Sequence, residues 1–334
     1  MTHTLINSHA TRSLIVVMPV FNDWESAQIL ITNIETAMRG MPLTIDIVAV
    51  DDCSTVPPPA QVQIDGTVSQ VECVQLAGNV GHQRAIAIGL MHIVDRPDLD
   101  LVAVMDSDGE DTPEELRALT EQAMAGPPIA LVAQRAERSE GFVFKLFYRI
   151  YIALFRLLTG HRISFGNFSV LPAAHVRRII ASQHIWNNFP ATVLQSRLPV
   201  QYVPTRRGKR YAGESRMNFV NLVSHGLGAI AVFSDAVYIR ILIASLGLFV
   251  VSIMMAGFAL WVRLFTVLAI PAWATTVLGF ALLVSIQAIM LPIMMAFLLL
   301  SNRATIQPLP RTIAMSMIAH CTILARGGAA GQSG

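Results

Sequence analysis

The sequence predicts an open, mostly parallel α/β sheet followed by two membrane-spanning helices. Three observations predict it. Short apolar, largely β-branched runs alternate with amphipathic stretches of helical length. Hydrophobic residues make up 53% of the 334. The charged residues leave long gaps toward the C-terminal end.

The runs at 14–18, 45–50, 71–76, 101–105 and 129–133 read as strands buried on both faces, because they are continuously apolar instead of alternating. Between them, 25–38, 81–94 and 113–125 have the spacing of amphipathic helices. Repeated strand and helix imply parallel strands with right-handed crossovers and helices on both faces. Ligands of such sheets bind at the carboxyl ends of the strands.

Between Arg240 and Arg263 lie 22 residues without a charge, which as a helix extend roughly 33 Å, the depth of a bilayer core. From Leu264 to Asn302 there is again no Lys, Arg, Asp or Glu, and Pro271 separates a short linker from the apolar run 274–300, the second span. Arg206, Arg207, Lys209, Arg210, Arg216 and Arg240 precede the first span, Arg303 and Arg311 follow the second, and the connecting loop 266–273 has none. Residues 1–13 lack the basic start and apolar core of a secretion signal. Both termini and everything before the first span are therefore expected on the cytoplasmic side. The net charge of +2 argues against a nucleic-acid partner. Cys53, Cys73 and Cys321 are widely spaced, as suits reduced thiols better than a disulfide framework or a metal cage.

The stretch 142–160 places Lys145, Arg149 and Arg156 within about 40° of one another on a helical wheel of 3.6 residues per turn. We read it as an interfacial helix on the membrane; an ordinary core helix with one wet edge fits the pattern equally. The apolar stretch 312–324 is too short to span and is expected at the interface or in a contact between copies. The organisation expected is thus a tail at 1–13, an α/β domain at 14–216 including helix 142–160, a juxtamembrane helix at 217–240, spans at 241–265 and 272–300, and a cytosolic tail at 301–334.

Acidic and turn-forming residues collect at the strand ends: Asp23 after the first strand, Asp51 and Asp52 after the second, Asp106 and Asp108 after the fourth. Two carboxylates one residue apart are common in solvated turns; at the end of a buried strand they offer hard oxygen ligands for Mg²⁺ or Mn²⁺, with Glu110 or Asp111 as a third. A cation there would offset the charge that grows on a diphosphate leaving group. This reading requires that the two carboxylates not be consumed by protein cations. Thr112, Pro113 and Glu115 form a helix start, Thr at the N-cap. Gly81, Ala85 and Gly89, four apart after Asn79, fit close helix packing at least as well as ligand contact. His82, His161, His175, His184, His225 and His320 have no metal-ligand spacing and are read as structural or surface groups.

Taken in order, Val17-Met18-Pro19-Val20-Phe21-Asn22-Asp23, Val50-Asp51-Asp52-Cys53-Ser54-Thr55, Asn79-Val80-Gly81 and Met105-Asp106-Ser107-Asp108-Gly109-Glu110-Asp111-Thr112-Pro113-Glu114 resemble the family 2 glycosyltransferase pattern. Within it the chain is most similar to the polyprenyl-phosphate glycosyltransferases, the group of dolichol-phosphate mannose synthase and of the enzymes that load undecaprenyl phosphate. Gln134-Arg135, the stretch from Arg210 to Arg216, and Pro271-Ala272-Trp273 opening the second span add to the likeness.

The resemblance implies a GT-A, nucleotide-diphospho-sugar transferase fold in a bacterial inner membrane, with a catalytic domain in the cytoplasm. It implies that Pro19, Phe21, Asp23, Asp51 and Asp106 bind the nucleotide sugar, and that Asp106, Asp108 and Glu110 hold a divalent Mg or Mn ion. It implies catalytic roles for Asp108, Arg135 and Arg216, and contact with a lipid phosphate through Arg138, Arg210 and Ser215. Each has a plainer reading: Pro19 and Phe21 can end a strand, Asp51 can cap a turn, and cations beside a membrane can serve anionic lipid alone. The implied reaction is inverting transfer of one sugar from a UDP- or GDP-sugar to polyprenyl phosphate, with self-association left open. The alternatives are a processive polysaccharide synthase and a catalytically silent membrane scaffold that keeps the fold. Four places depart from the pattern: Glu110 stands where Gln is usual, Arg216 where Lys is usual, Gly166-Asn167-Phe168-Ser169 replaces a stretch with Asp and Arg, and 298–303 lacks the usual acidic ending.

Overall fold

The structure is a computed structural model, which describes residues 12–135, 142–212, 219–266, 272–304 and 310–327. It divides into two compact units, 1–145 with 163–232 and 308–334, and 146–162 with 233–307.

The first unit is built on an eight-stranded sheet. Its strands are β1 (Arg12–Val20), β2 (Leu43–Asp51), β3 (Val68–Leu76), β4 (Leu101–Val104), β5 (Ala130–Arg135), β6 (Ser169–Pro172), β7 (Val200–Thr205) and β8 (Ile318–Arg326), in the spatial order β7-β5-β6-β4-β1-β2-β3-β8. β4, β1, β2 and β3 run parallel, β6 is antiparallel between β4 and β5, and β8 is antiparallel on the outer edge of β3. Helices α1 (Trp24–Ala37) and α3 (Pro113–Ala125) supply core on one face, and α2 (His82–Ile93), α5 (Ala173–Ile180) and α6 (Phe189–Gln195) on the other. β1 divides its residues accordingly: Leu14, Val16, Met18 and Val20 enter the first core, Ile15 and Val17 the second. Burial on both faces is why the strand reads as one continuous apolar run.

Two expectations from the sequence are corrected in this unit. The stretch 312–324, expected at the interface or in a contact between copies, packs on its own sheet: it supplies part of α10 (Pro310–Ser316) and of β8, which pairs with β3 along Gln70–Leu76. Its apolar residues meet the sheet, with Leu324 buried in the first core and Ala314 in the second. The juxtamembrane helix 217–240 is two helices. α7 (Phe219–Ala231) belongs to this unit, and Phe233 leaves helical geometry with φ −105° and ψ 27° before the next helix begins.

The second unit contains most of α4 (Phe142–Thr159), with α8 (Ser234–Phe265) and α9 (Trp273–Ala304). Ser234–Phe265 and Trp273–Ser301 are long and apolar enough to cross a membrane, and few of their residues are buried inside the protein. They pack as a hairpin fixed by polar contacts: Ser252 Oγ donates to the Ala281 carbonyl at 2.6 Å, and Ser285 Oγ to Ser252 Oγ at 3.1 Å. α4 buries Phe155 while Ile150, Leu154 and Leu157 are exposed beside the exposed Arg149 and Arg156. It ends at Gly160, in the left-handed region at φ +81°, where Arg240 of α8 donates to the Leu157 carbonyl at 2.6 Å.

Candidate active site

Parallel pairing sets three strand ends side by side. Val20 is level with Asp51, and Val17 with Val104, so the turns after β1, β2 and β4 open together. The first two are tied to each other. Asn22 adopts a left-handed φ of 51°, and its side-chain oxygen accepts from Thr55 N at 2.7 Å, Thr55 Oγ1 at 2.9 Å and Val56 N at 3.2 Å. Ser54 Oγ donates to Asp51 and accepts from Asn22 N at 2.8 Å. Asp51 is 2% exposed, and Pro19 is buried within β1, whereas Phe21 stands 40% exposed at the rim. Asp52 accepts from Val80 N at 2.7 Å and Gly81 N at 2.9 Å, holding the entry to α2.

The turn after β4 is closed by its own acids. Asp111, buried, accepts from Asp106 N at 3.0 Å, and Asp108 Oδ1 accepts from Glu110 N at 2.9 Å. Gly109 takes φ +85°, and a Cβ there would overlap the Tyr211 ring, so both backbone and space require glycine. The residues after β7 cross this turn. Gly208 N donates to the Glu110 carbonyl at 2.9 Å and Tyr211 N to the Asp108 carbonyl at 3.0 Å, while the Tyr211 hydroxyl accepts from Asn33 of α1 at 3.0 Å.

The carboxylates do not stand apart from protein cations as the sequence reading required. Arg210 bridges Asp23 at 2.6 Å and Asp108 at 3.2 Å, and Arg207 pairs with Glu110. His82 Nε2 lies 3.1 Å from Asp106. Asn167 Nδ2 lies 3.2 Å from Asp106 and 2.8 Å from the His82 ring nitrogen, and Asn167 Oδ1 accepts from Gln83 at 2.9 Å. The side chains of Asp106 and Asp108 keep 27% and 16% of their exposure. Burial, then the neighbouring Asp106 carboxylate, push the Asp108 pKa up to about 6 despite Arg210. Burial would lower the pKa of His82, yet Asp106, Asp108 and Asp111 hold it above the ordinary imidazole value. Asp106 and Asp108 offer hard carboxylate oxygens of the type that Mg²⁺ and Mn²⁺ take, with Asp108 held toward its neutral form by burial and by Asp106.

Asp23 and Asp108 share Arg210, Asp106 and Asp108 interact within one turn, and Asp51 lies at the adjacent strand end, with Pro19 and Phe21 at the end of β1. Arg210, expected at a lipid phosphate, sits on Asp23 and Asp108 instead. Arg135 ends β5, but its side chain lies outside the described residues, as do Arg138, Ser215 and Arg216. Sequence reasoning missed His82 and Asn167 as neighbours of Asp106. The available signal was the position of His82 directly after Asn79-Val80-Gly81, at the start of a helix behind a strand end.

Residues 15–180 match the family model described as Glycosyl transferase family 2. Solved structures are similar at a distance. Glucosyl-3-phosphoglycerate synthase from Mycobacterium tuberculosis, in complex with Mn²⁺, UDP-glucose and phosphoglyceric acid, is 15% identical with a TM-score of 0.47, over 68% of this chain and 80% of that one. Mannosyl-3-phosphoglycerate synthase from Rubrobacter xylanophilus is 17% identical with a TM-score of 0.44, over 67% and 73%. Likeness this low transfers neither substrate nor site. Since the matched residues carry β1 through α5 and every carboxylate of the converging turns, this chain bears a family 2 glycosyltransferase domain.

Proposed function

We propose that the protein transfers one sugar from a UDP- or GDP-sugar to polyprenyl phosphate at the cytoplasmic face of a membrane, by inverting, in-line displacement. The observation that carries this reading is the cluster of carboxylates at the joined ends of β1, β2 and β4, in a chain that leaves this sheet for two apolar helices and returns to it. The return of the chain to the sheet as β8 after the two apolar helices supports this reading, since two crossings bring a chain back to the side it left. The exposed Ile150, Leu154 and Leu157 beside Arg149 and Arg156 support an interfacial role for α4.

In this reading Asp51 and Asp23 meet the ribose and base, with Phe21 and Pro19 at the rim, and Asp106, Asp108 and Glu110 hold Mg²⁺ or Mn²⁺. The ion, when bound, neutralises charge developing on the departing diphosphate. Arg210 then exchanges Asp108 for phosphate oxygens, which its guanidinium fork matches in two bonds. Arg135 and Arg216 serve the reacting phosphates, and Arg138 and Ser215 the lipid headgroup. The acceptor phosphate is an anion near neutral pH and attacks without surrendering a proton, which suits the amide of Asn167 next to Asp106, a group that accepts no proton.

The pairing of both aspartates with protein cations favours one rival, a silent scaffold that retains the fold. Purified full-length protein in detergent, given nucleotide sugars, Mn²⁺ and a short polyprenyl phosphate, separates the two. Metal-dependent appearance of lipid-linked sugar with matching nucleoside diphosphate is expected. Nucleotide binding without turnover for every donor would establish the scaffold.

A further inference from the structure

A second set of donors lies away from the carboxylate turns, where β8 closes the sheet. Glu72 of β3 points its side chain, 9% exposed, to the face covered by α2. A carboxylate buried there needs partners, and it has two: Arg96 holds Oε2, and His92 Nε2 lies 2.8 Å from Oε1. The register brings a third. Glu72 pairs with Ile323 and Val74 with Cys321, which makes Glu72 and Cys321 diagonal neighbours on one face of the antiparallel pair. A register shift between Val71 and Glu72 passes over Leu324, whose side chain enters the core on the opposite face, and this bulge sets the aim of the residues before it. The oxygen of Glu72, the ring nitrogen of His92 and the sulfur of Cys321 all lie within 4.8 Å of one another.

We propose that Glu72, His92 and Cys321 bind one transition-metal ion of the zinc type, with solvent in the fourth position, and so clamp β8 to β3 and α2. The donor chemistry selects the ion. Mg²⁺ and Mn²⁺ favour oxygen ligands, whereas a mixed oxygen, nitrogen and sulfur set suits Zn²⁺. Ligands at about 2.0–2.3 Å from a tetrahedral ion stand roughly 3.3–3.7 Å apart, so small side-chain rotations bring these three onto it. Arg96, by occupying Oε2, fixes the carboxylate and leaves Oε1 for the metal, as an outer partner does in known metal sites. Burial alone would raise the pKa of Glu72, but His92 and Arg96 hold it below the ordinary value, so the carboxylate is ionised at neutral pH. Binding replaces the Cys321 thiol proton, which passes to solvent. The site is chemically and spatially separate from the donor-binding carboxylates and does not depend on their function.

Cobalt(II) titration of the full-length protein in detergent tests it, because only a cysteine ligand gives thiolate-to-cobalt charge-transfer absorption. One equivalent is expected to give that band, zinc to displace it, Cys321→Ser to abolish it, and Cys53→Ser to leave it intact. His92→Asn should weaken binding at least tenfold. Zinc should also slow alkylation of the exposed Cys321 in the wild-type protein, a measurement that needs no variant to fold. Absence of the band, its survival in Cys321→Ser, or unchanged alkylation with zinc would overturn the proposal.

Discussion

Replacing Asp108 with Asn should stabilise the metal-free protein while abolishing its activity. The displacement of the Asp108 pKa from 3.8 to about 6 corresponds to about 3 kcal/mol by which the fold disfavours the ionised form. The side chain is only 16% exposed, so solvent screening removes little of this. Asn retains an oxygen for the Glu110 amide but gives Arg210 an amide in place of a carboxylate oxygen, which returns part of the gain. A net gain of about 1–3 kcal/mol remains, about 3–9 °C in melting temperature for a domain of this size. The sign with pH follows from a raised acid. Stability from the neutral form is fully present below 3.8 and is lost as pH rises through about 6. Thermal unfolding in detergent with EDTA should therefore show the two proteins together at pH 4 and the variant higher at pH 8. Added Mn²⁺ should raise only the wild type. A variant that melts at or below the wild type at pH 8 without metal would refute the reasoning, since Arg210 would then outweigh burial and Asp106.

Gly89→Ala places a methyl 2.7 Å from side-chain carbons of Val17 and Val50, and overpacking there should cost about 1–3 kcal/mol, read as a lower urea midpoint. Glu35, 3% exposed, accepts from the backbone amides of Asp65, Thr67 and Val68; Glu35→Ala should cost about 2–4 kcal/mol, with loop 57–67 becoming the first site of proteolysis. Truncation before Pro310 strips β3 of its edge partner, and the product should aggregate on extraction although both apolar helices are intact.

The parallel half of the sheet was legible because strands buried on two faces leave an unbroken apolar run. β6 was not: it has four residues, Ser169–Pro172, and owes its place to pairing with β4 and β5, which no local pattern encodes. β8 was disguised for a different reason. Apolar residues such as Ile323 and Leu324 follow a hydrophobic helix pair, and a sheet edge recruited from the far end of the chain has the composition of a membrane-surface segment. In the site, Asp106 and Asp108 were readable from one strand end, but their partners come from remote sequence: Asn167 is 61 residues from Asp106, and Arg210 is 102 from Asp108. Spacing signals turns and helix faces; it carries no information about which distant side chain will neutralise a carboxylate.

The late arrival of β8 also orders the protein's own making. During synthesis the outer rim of β3 has no β8 to pair with until translation has passed α9, so the sheet stays unfinished while the two apolar helices are being made. A ribosome stalled between the two apolar helices would leave a glycosyltransferase fold with one raw side, exposed to chaperones and proteases. Completion of the sheet thus reports that both apolar helices have been made.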